Sequence, residues 1–156
     1  MKAIKRIFLI LLMAIISLPF VSYAGIVITN NCIADKIEKD LAKYQLPSDT
    51  ELVDSISAAG KMSGNGNGMQ YMGAILVKSK LSAEELKEYY DSDFDYIQVR
   101  KQESKTLGFD LISYSFSKFP KAQDGTYYSV ICWDSNREEL VGECLSDFLD
   151  FDIRGH

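Results

Sequence analysis

The first two dozen residues of the chain constrain it most. Lys2, Lys5 and Arg6 form a positive start. Ile7–Val21 is apolar apart from Ser17 and Pro19, and Ser22-Tyr23-Ala24 follows, with small residues at the two positions a signal peptidase reads. This three-part pattern predicts a secretory signal peptide over residues 1–24, cleaved after Ala24. It places the rest of the chain outside the cytoplasm, as a secreted or periplasmic protein with no membrane insertion once the leader is gone. The competing reading keeps the segment as an anchor, because Ile7–Ile28 has the length needed to span a bilayer. Lipidation is not expected, since the first cysteine, Cys32, follows Thr29-Asn30-Asn31.

Gly25–His156 is the size of one domain. Losing Lys2, Lys5 and Arg6 moves the net charge from −5 to −8. An acidic domain without a basic stripe fits neither nucleic acid nor anionic lipid, which reward clustered Lys and Arg. Three cysteines remain, Cys32, Cys132 and Cys144. In an exported chain the odd count predicts one bridge and one leftover thiol. Cys132–Cys144 is the expected pair, and closing so short a loop contributes about 3 kcal/mol in the chain-entropy model.

Periodicity divides the remainder. Ile33, Ile37, Leu41 and Tyr44 recur at helical spacing and predict a short amphipathic helix with Asn31 as its N-cap. This helix and a linker occupy residues 25–50. An α+β domain is expected over 51–156. Strands are read at Glu51–Ser57, Met69–Lys78, Asp95–Lys101, Gly108–Ser117 and Tyr127–Trp133. The second is apolar on both faces, which predicts a central or doubly covered strand. Ser82-Ala83-Glu84-Glu85 and Ser135-Asn136-Arg137-Glu138 are capping boxes, each opening a helix. The second helix carries an apolar stripe from Leu140 to Leu149 that includes Cys144. The expected architecture is α+β, a mostly antiparallel sheet of about five strands with helices packed on one face.

Four groups of residues invite a functional reading. Gly64-Asn65-Gly66-Asn67-Gly68 resembles a phosphate loop in composition only. Its spacing is G-x-G-x-G, and a strand follows it where a phosphate site needs a helix N-terminus. A hairpin loop is therefore expected, with these five residues as candidate ligand contacts. Asp91-Ser92-Asp93-Phe94-Asp95 starts like a calcium loop. Tyr96 and Gln102 stand where Gly and Glu are required, so a solvated helix-to-strand connection is expected. The only histidine is His156, which removes His-dependent nucleophile and general-base chemistry. Asp147, Asp150 and Asp152 sit where a helix ends, an unfavourable place for negative charge. A fraying end is expected there.

The many tyrosines, with Trp133, fall mostly on predicted strands or a helix and read as core or half-buried sheet residues, some of them free to line a recognition face. Neither catalytic, metal-binding nor cofactor-binding residues are assigned. The expected function is a small non-enzymatic binding domain for a protein or cell-envelope ligand. Two alternatives differ in class: a hydrolase using paired carboxylates, and a membrane-anchored accessory subunit.

Overall fold

Strand β2 (Gln70–Ser79) reads as apolar on both faces, and both are covered. In the computed structural model, which describes residues 2–64, 68–120, 124–133 and 148–156, it lies inside a four-stranded antiparallel sheet. The strand order is β1 (Thr50–Gly60), β2, β6 (Tyr127–Trp133), β3 (Ile97–Gln102). β2 pairs with both β1 and β6, with Ile75 opposite Ser55 on one side and Val130 on the other.

One face of the sheet carries two helices, α1 (Lys2–Lys43) and α2 (Ala83–Asp91). Ile75 and Val77 of β2, Val130 and Cys132 of β6, and Ile97 of β3 pack against Leu41, Leu86 and Tyr90. The capping box that predicts α2 is formed: Ser82 Oγ accepts from Glu85 N at 3.2 Å, and Glu85 Oε2 accepts from Ser82 N at 2.8 Å. Tyr44, Tyr89, Tyr90 and Phe94 make a ring cluster beside it. Within it the Tyr90 hydroxyl is buried with no hydrogen-bond partner among the described residues, and burial pushes its pKa up to about 12. Removing a buried, unmatched hydroxyl relieves a desolvation cost, so Tyr90→Phe is expected to raise stability by up to about 1 kcal/mol. Urea denaturation of the two proteins measures the difference, and a loss of stability would mean the hydroxyl has a partner.

The other face is covered by chain expected to be a fifth strand. Residues 108–117 do not join the sheet. They contribute to a separate hairpin of β4 (Thr106–Gly108) and β5 (Ser113–Ser115), in which Leu107 faces Tyr114. The turn closes with Phe109 N donating to Ile112 O at 2.8 Å, and Leu111 N donates to Met62 O at 3.1 Å. Leu107 and Phe116 are buried against Met72, Ala74, Leu76 and Ile131. Arg100 fastens the hairpin to β3: its guanidinium donates to Gly108 O at 2.7 Å and lies 5.3 Å from the Phe109 ring centre. Asp54 fastens it to β1, accepting from Ser117 N at 2.6 Å and Lys118 N at 2.9 Å. Ser113, Ser115 and Ser117 of this segment are exposed to water.

The N-terminal helix departs most from expectation. It is one uninterrupted helix of 42 residues containing Pro19, and Asn31 lies inside it rather than capping it. Its second half crosses the sheet at Gly73. A Cβ there would lie 2.3 Å from Glu38 N and 2.5 Å from Glu38 Cα, so only glycine admits the crossing. In its first half every residue from Ile4 to Ser22 is exposed. Tyr96, expected at the start of β3, precedes it, with a left-handed φ of 55° and its ring in solvent.

Candidate functional site

The stripe of α1 that faces the domain reads Ile26, Asn30, Ile33, Ala34, Ile37 and Leu41, with one polar residue in an apolar series. Asn30 is fully buried. Its amide donates to Leu149 O at 3.1 Å and to Asp152 Oδ2 at 3.0 Å, and its carbonyl accepts from the Tyr71 hydroxyl at 2.6 Å. Asp152, buried at the start of a 3₁₀ turn (Ile153–Gly155), also holds Arg154, whose Nη2 donates to Asp152 Oδ2 at 2.6 Å. The Arg154 guanidinium lowers the Asp152 pKa to about 2; burial opposes that shift and the Asn30 amide adds to it. Arg154 reaches back to α1 through Asn31 Oδ1 at 2.9 Å. Asp152 is therefore not on a fraying end. Arg154 and Asn30 neutralise and solvate it, which removes the conflict between its charge and a helix terminus.

The same terminal segment closes the end of the β1–β2 hairpin. Arg154 O accepts from Lys61 N at 2.6 Å, Gly155 O accepts from Gly68 N at 2.8 Å, and Asp150 Oδ1 accepts from Met69 N at 3.3 Å. The glycine stretch is the loop of that hairpin, as its spacing predicts. Gly64 and Gly68 have φ of 81° and 139°, which an L side chain rarely adopts. Gln70 ties the loop's near flank, its Oε1 accepting from Met62 N and Ser63 N at 2.7 and 2.9 Å. Asn65, Gly66 and Asn67 lie outside the described residues, as do Asp147, Cys144 and the Ser135–Glu138 capping box with most of its helix. No disulfide is formed among the described residues. Cys132 is buried on the sheet face that α1 and α2 cover.

A cleft of about 540 Å³ runs along the free edge of β1 at Ser57–Lys61. One wall is α1 at Asn31 and Asp35, the other is the β4–β5 hairpin at Ile112 and Tyr114, and Arg154 closes one end. Asp35 accepts from the Ser57 hydroxyl across it. A strand edge with no neighbouring strand among the described residues, flanked by a carboxylate, a guanidinium and a tyrosine, offers backbone and side-chain hydrogen bonds to an extended ligand. A second cleft of about 780 Å³ contains Asp49, Glu51, Lys78, Lys80 and Asp124. Four of these charges form two ion pairs, Lys78 with Asp124 at 2.8 Å and Lys80 with Asp49 at 2.9 Å.

Carboxylate catalysis needs an acid that stays protonated near neutral pH. Among the described residues the carboxyls displaced from their ordinary pKa are Asp54, Glu85, Asp93, Asp124 and Asp152, and all are displaced downward. In the second cleft Lys78, with help from the Tyr127 hydroxyl, lowers Asp124 to about 2. Asp91 and Asp93, the calcium-like residues, turn to Lys87 and to the Tyr44 and Ser92 hydroxyls. No group of three His, Cys, Asp or Glu side chains suited to a metal occurs among the described residues. Sequence reasoning misses Asn30 and Arg154; the signal for Asn30 is its place in the apolar stripe of α1. Comparison with known protein families, with curated proteins and with solved structures finds no match to this chain.

Proposed function

We propose that this chain is an exported binding domain, held at the outer surface of the cytoplasmic membrane by the first half of α1. The observation that carries the reading is the division of that single helix. Residues 4–22 are bare and apolar from Ile7 onward, whereas Ile26–Leu41 supply the buried stripe under the sheet. The helix is long and apolar enough to cross a membrane. An apolar run of 22 residues spans about 33 Å as a helix, against about 30 Å of bilayer hydrocarbon. Lys2, Lys5 and Arg6 sit at its far end, the arrangement that retains that end in the cytoplasm.

Cleavage after Ala24 is the second reading, and Ser22-Tyr23-Ala24 favours it. It yields a secreted or periplasmic domain starting at Gly25. In the folded protein that site lies within unbroken helix, one and a half turns from buried Asn30, so cleavage has to precede docking of α1.

The binding reading rests on the β1-edge cleft. We assign its ligand as an extended protein segment or a cell-envelope component, with the Gly64–Gly68 loop as a second contact beyond Lys61. A photoreactive amino acid at Tyr114, in the full chain in host membranes, is expected to give one discrete adduct that Asp35→Arg abolishes. Turnover of a peptide or glycan substrate, abolished by Asp35→Asn or Glu51→Gln, would instead establish the hydrolase.

A further inference from the structure

The terminal segment that packs on α1 is two-sided. Leu149 is buried against Ile33, Ala34, Tyr71 and half-buried Ile26. On the opposite side Phe148, Phe151 and Ile153 are 56, 67 and 71% exposed, and the two phenyl rings lie 5.6 Å apart. Three large side chains in solvent within six residues incur a hydration cost that a soluble surface normally avoids. Their place in the fold gives the reason. Tyr23, Ile26 and Val27 are half-buried, while all of Ile4–Ser22 is bare. The segment therefore sits where the apolar helix leaves the domain. Ile28, 62% exposed, continues the bare apolar surface along α1.

We propose that Phe148, Phe151 and Ile153 enter the interfacial layer of the bilayer, so that the domain rests on the membrane rather than standing away from it. This rests on the reading of α1 as a retained anchor. The acids of the segment do not oppose it. Asp152 is buried with Arg154 and Asn30, and Asp150 turns to Met69 N, so neither carboxylate need face lipid phosphate. Continuity with a helix of bilayer length selects lipid as the occupant. Apolar and aromatic side chains flanking such a helix settle at the headgroup boundary, where rings leave water without reaching the bilayer centre.

The test uses the full chain in vesicles of neutral phosphatidylcholine brominated near the top of the acyl chains. Single tryptophans are placed by Phe151→Trp, by Ile153→Trp as a second collar probe, and by Ile10→Trp as a reporter of the anchor. All three carry Trp133→Phe. The expected result is at least twofold quenching of the collar probes by brominated lipid, little quenching by aqueous iodide, and an Ile10→Trp probe out of reach of iodide. Collar probes quenched by iodide and not by bromine would overturn the collar and leave the anchor standing. Collar probes shielded from both would mean that a second copy of the chain covers the patch, which also overturns it. An Ile10→Trp probe open to iodide would overturn anchor and collar together.

Discussion

Gly73→Ala is expected to destabilise the domain by about 3 kcal/mol or more, the upper end of what overpacking costs. Strand propensity predicts the reverse, since glycine inside a strand is worse than alanine by about 0.5–1 kcal/mol. The sign of the effect therefore isolates the helix crossing. The added carbon would meet Glu38 N, Glu38 Cα and Ile37 C at 2.3, 2.5 and 2.7 Å, and these are backbone atoms that no rotamer change can move. α1 must lift off β2, which uncovers Ile75 and Cys132 beneath it. Gly108→Ala is the control, because nothing lies within 4 Å of the Cβ it would add. Urea denaturation of the full chain in detergent, followed by far-ultraviolet circular dichroism, gives both numbers. Equal stability of the two variants would mean that α1 does not cross at Gly73.

Asp152→Ala is expected to cost about 2 kcal/mol, because the partly exposed Arg154 guanidinium loses its carboxylate and the buried Asn30 amide loses one of its two acceptors. Asp152→Asn should cost less, since it keeps the volume and one acceptor. The ionised form of Asp152 is favoured in the folded state, with a pKa of about 2 against an ordinary 3.8. A lowered folded-state pKa adds stability above the unfolded value and loses it as pH falls toward the folded one. The contribution of Asp152 is thus complete above about pH 5 and fades between pH 4 and 2. Discounted for water reaching Arg154, it amounts to about 1–2 kcal/mol. The difference in unfolding free energy between wild type and Asp152→Asn, followed from pH 6 to pH 2, should close over that window. Asp124 also titrates near 2, held down chiefly by Lys78, but it is common to both proteins and cancels. A difference that stays constant with pH would place the Asp152 carboxylate outside the network.

The parts of the fold that local chemistry dictates are legible in the sequence. Ser82 and Glu85 announce α2 by satisfying each other's backbone donors. The unbroken apolar run of β2 announces a strand covered on both faces. The hairpin of β4 and β5 is not legible, because its turn at Phe109–Ile112 contains neither glycine nor proline. The alternation of Ile112, Tyr114 and Phe116 reads straight through it. What bends the chain there is tertiary: Met62 O, Arg100 and Asp54 hold the hairpin from three directions.

The continuity of α1 is hidden for a similar reason. Asn30-Asn31 looks like a helix start after a leader, yet Asn30 points inward to Tyr71 and Asp152, partners supplied from far along the chain. A polar residue in a buried stripe is visible locally, but its partner is not. The edge cleft is not legible either, since its walls come from α1, β1, the hairpin and the last 3₁₀ turn.

Anchoring requires the first half of α1 to remain joined to the second. The most direct measurement is the intact mass of the protein from the alkali-washed membrane fraction of its host, taken with and without thiol alkylation under non-reducing conditions. A full-length mass in that fraction is the predicted result, and the alkylation count at the same time decides whether Cys132 and Cys144 are bridged. A mass beginning at Gly25, recovered in the soluble fraction, would contradict the anchor and leave a released binding domain.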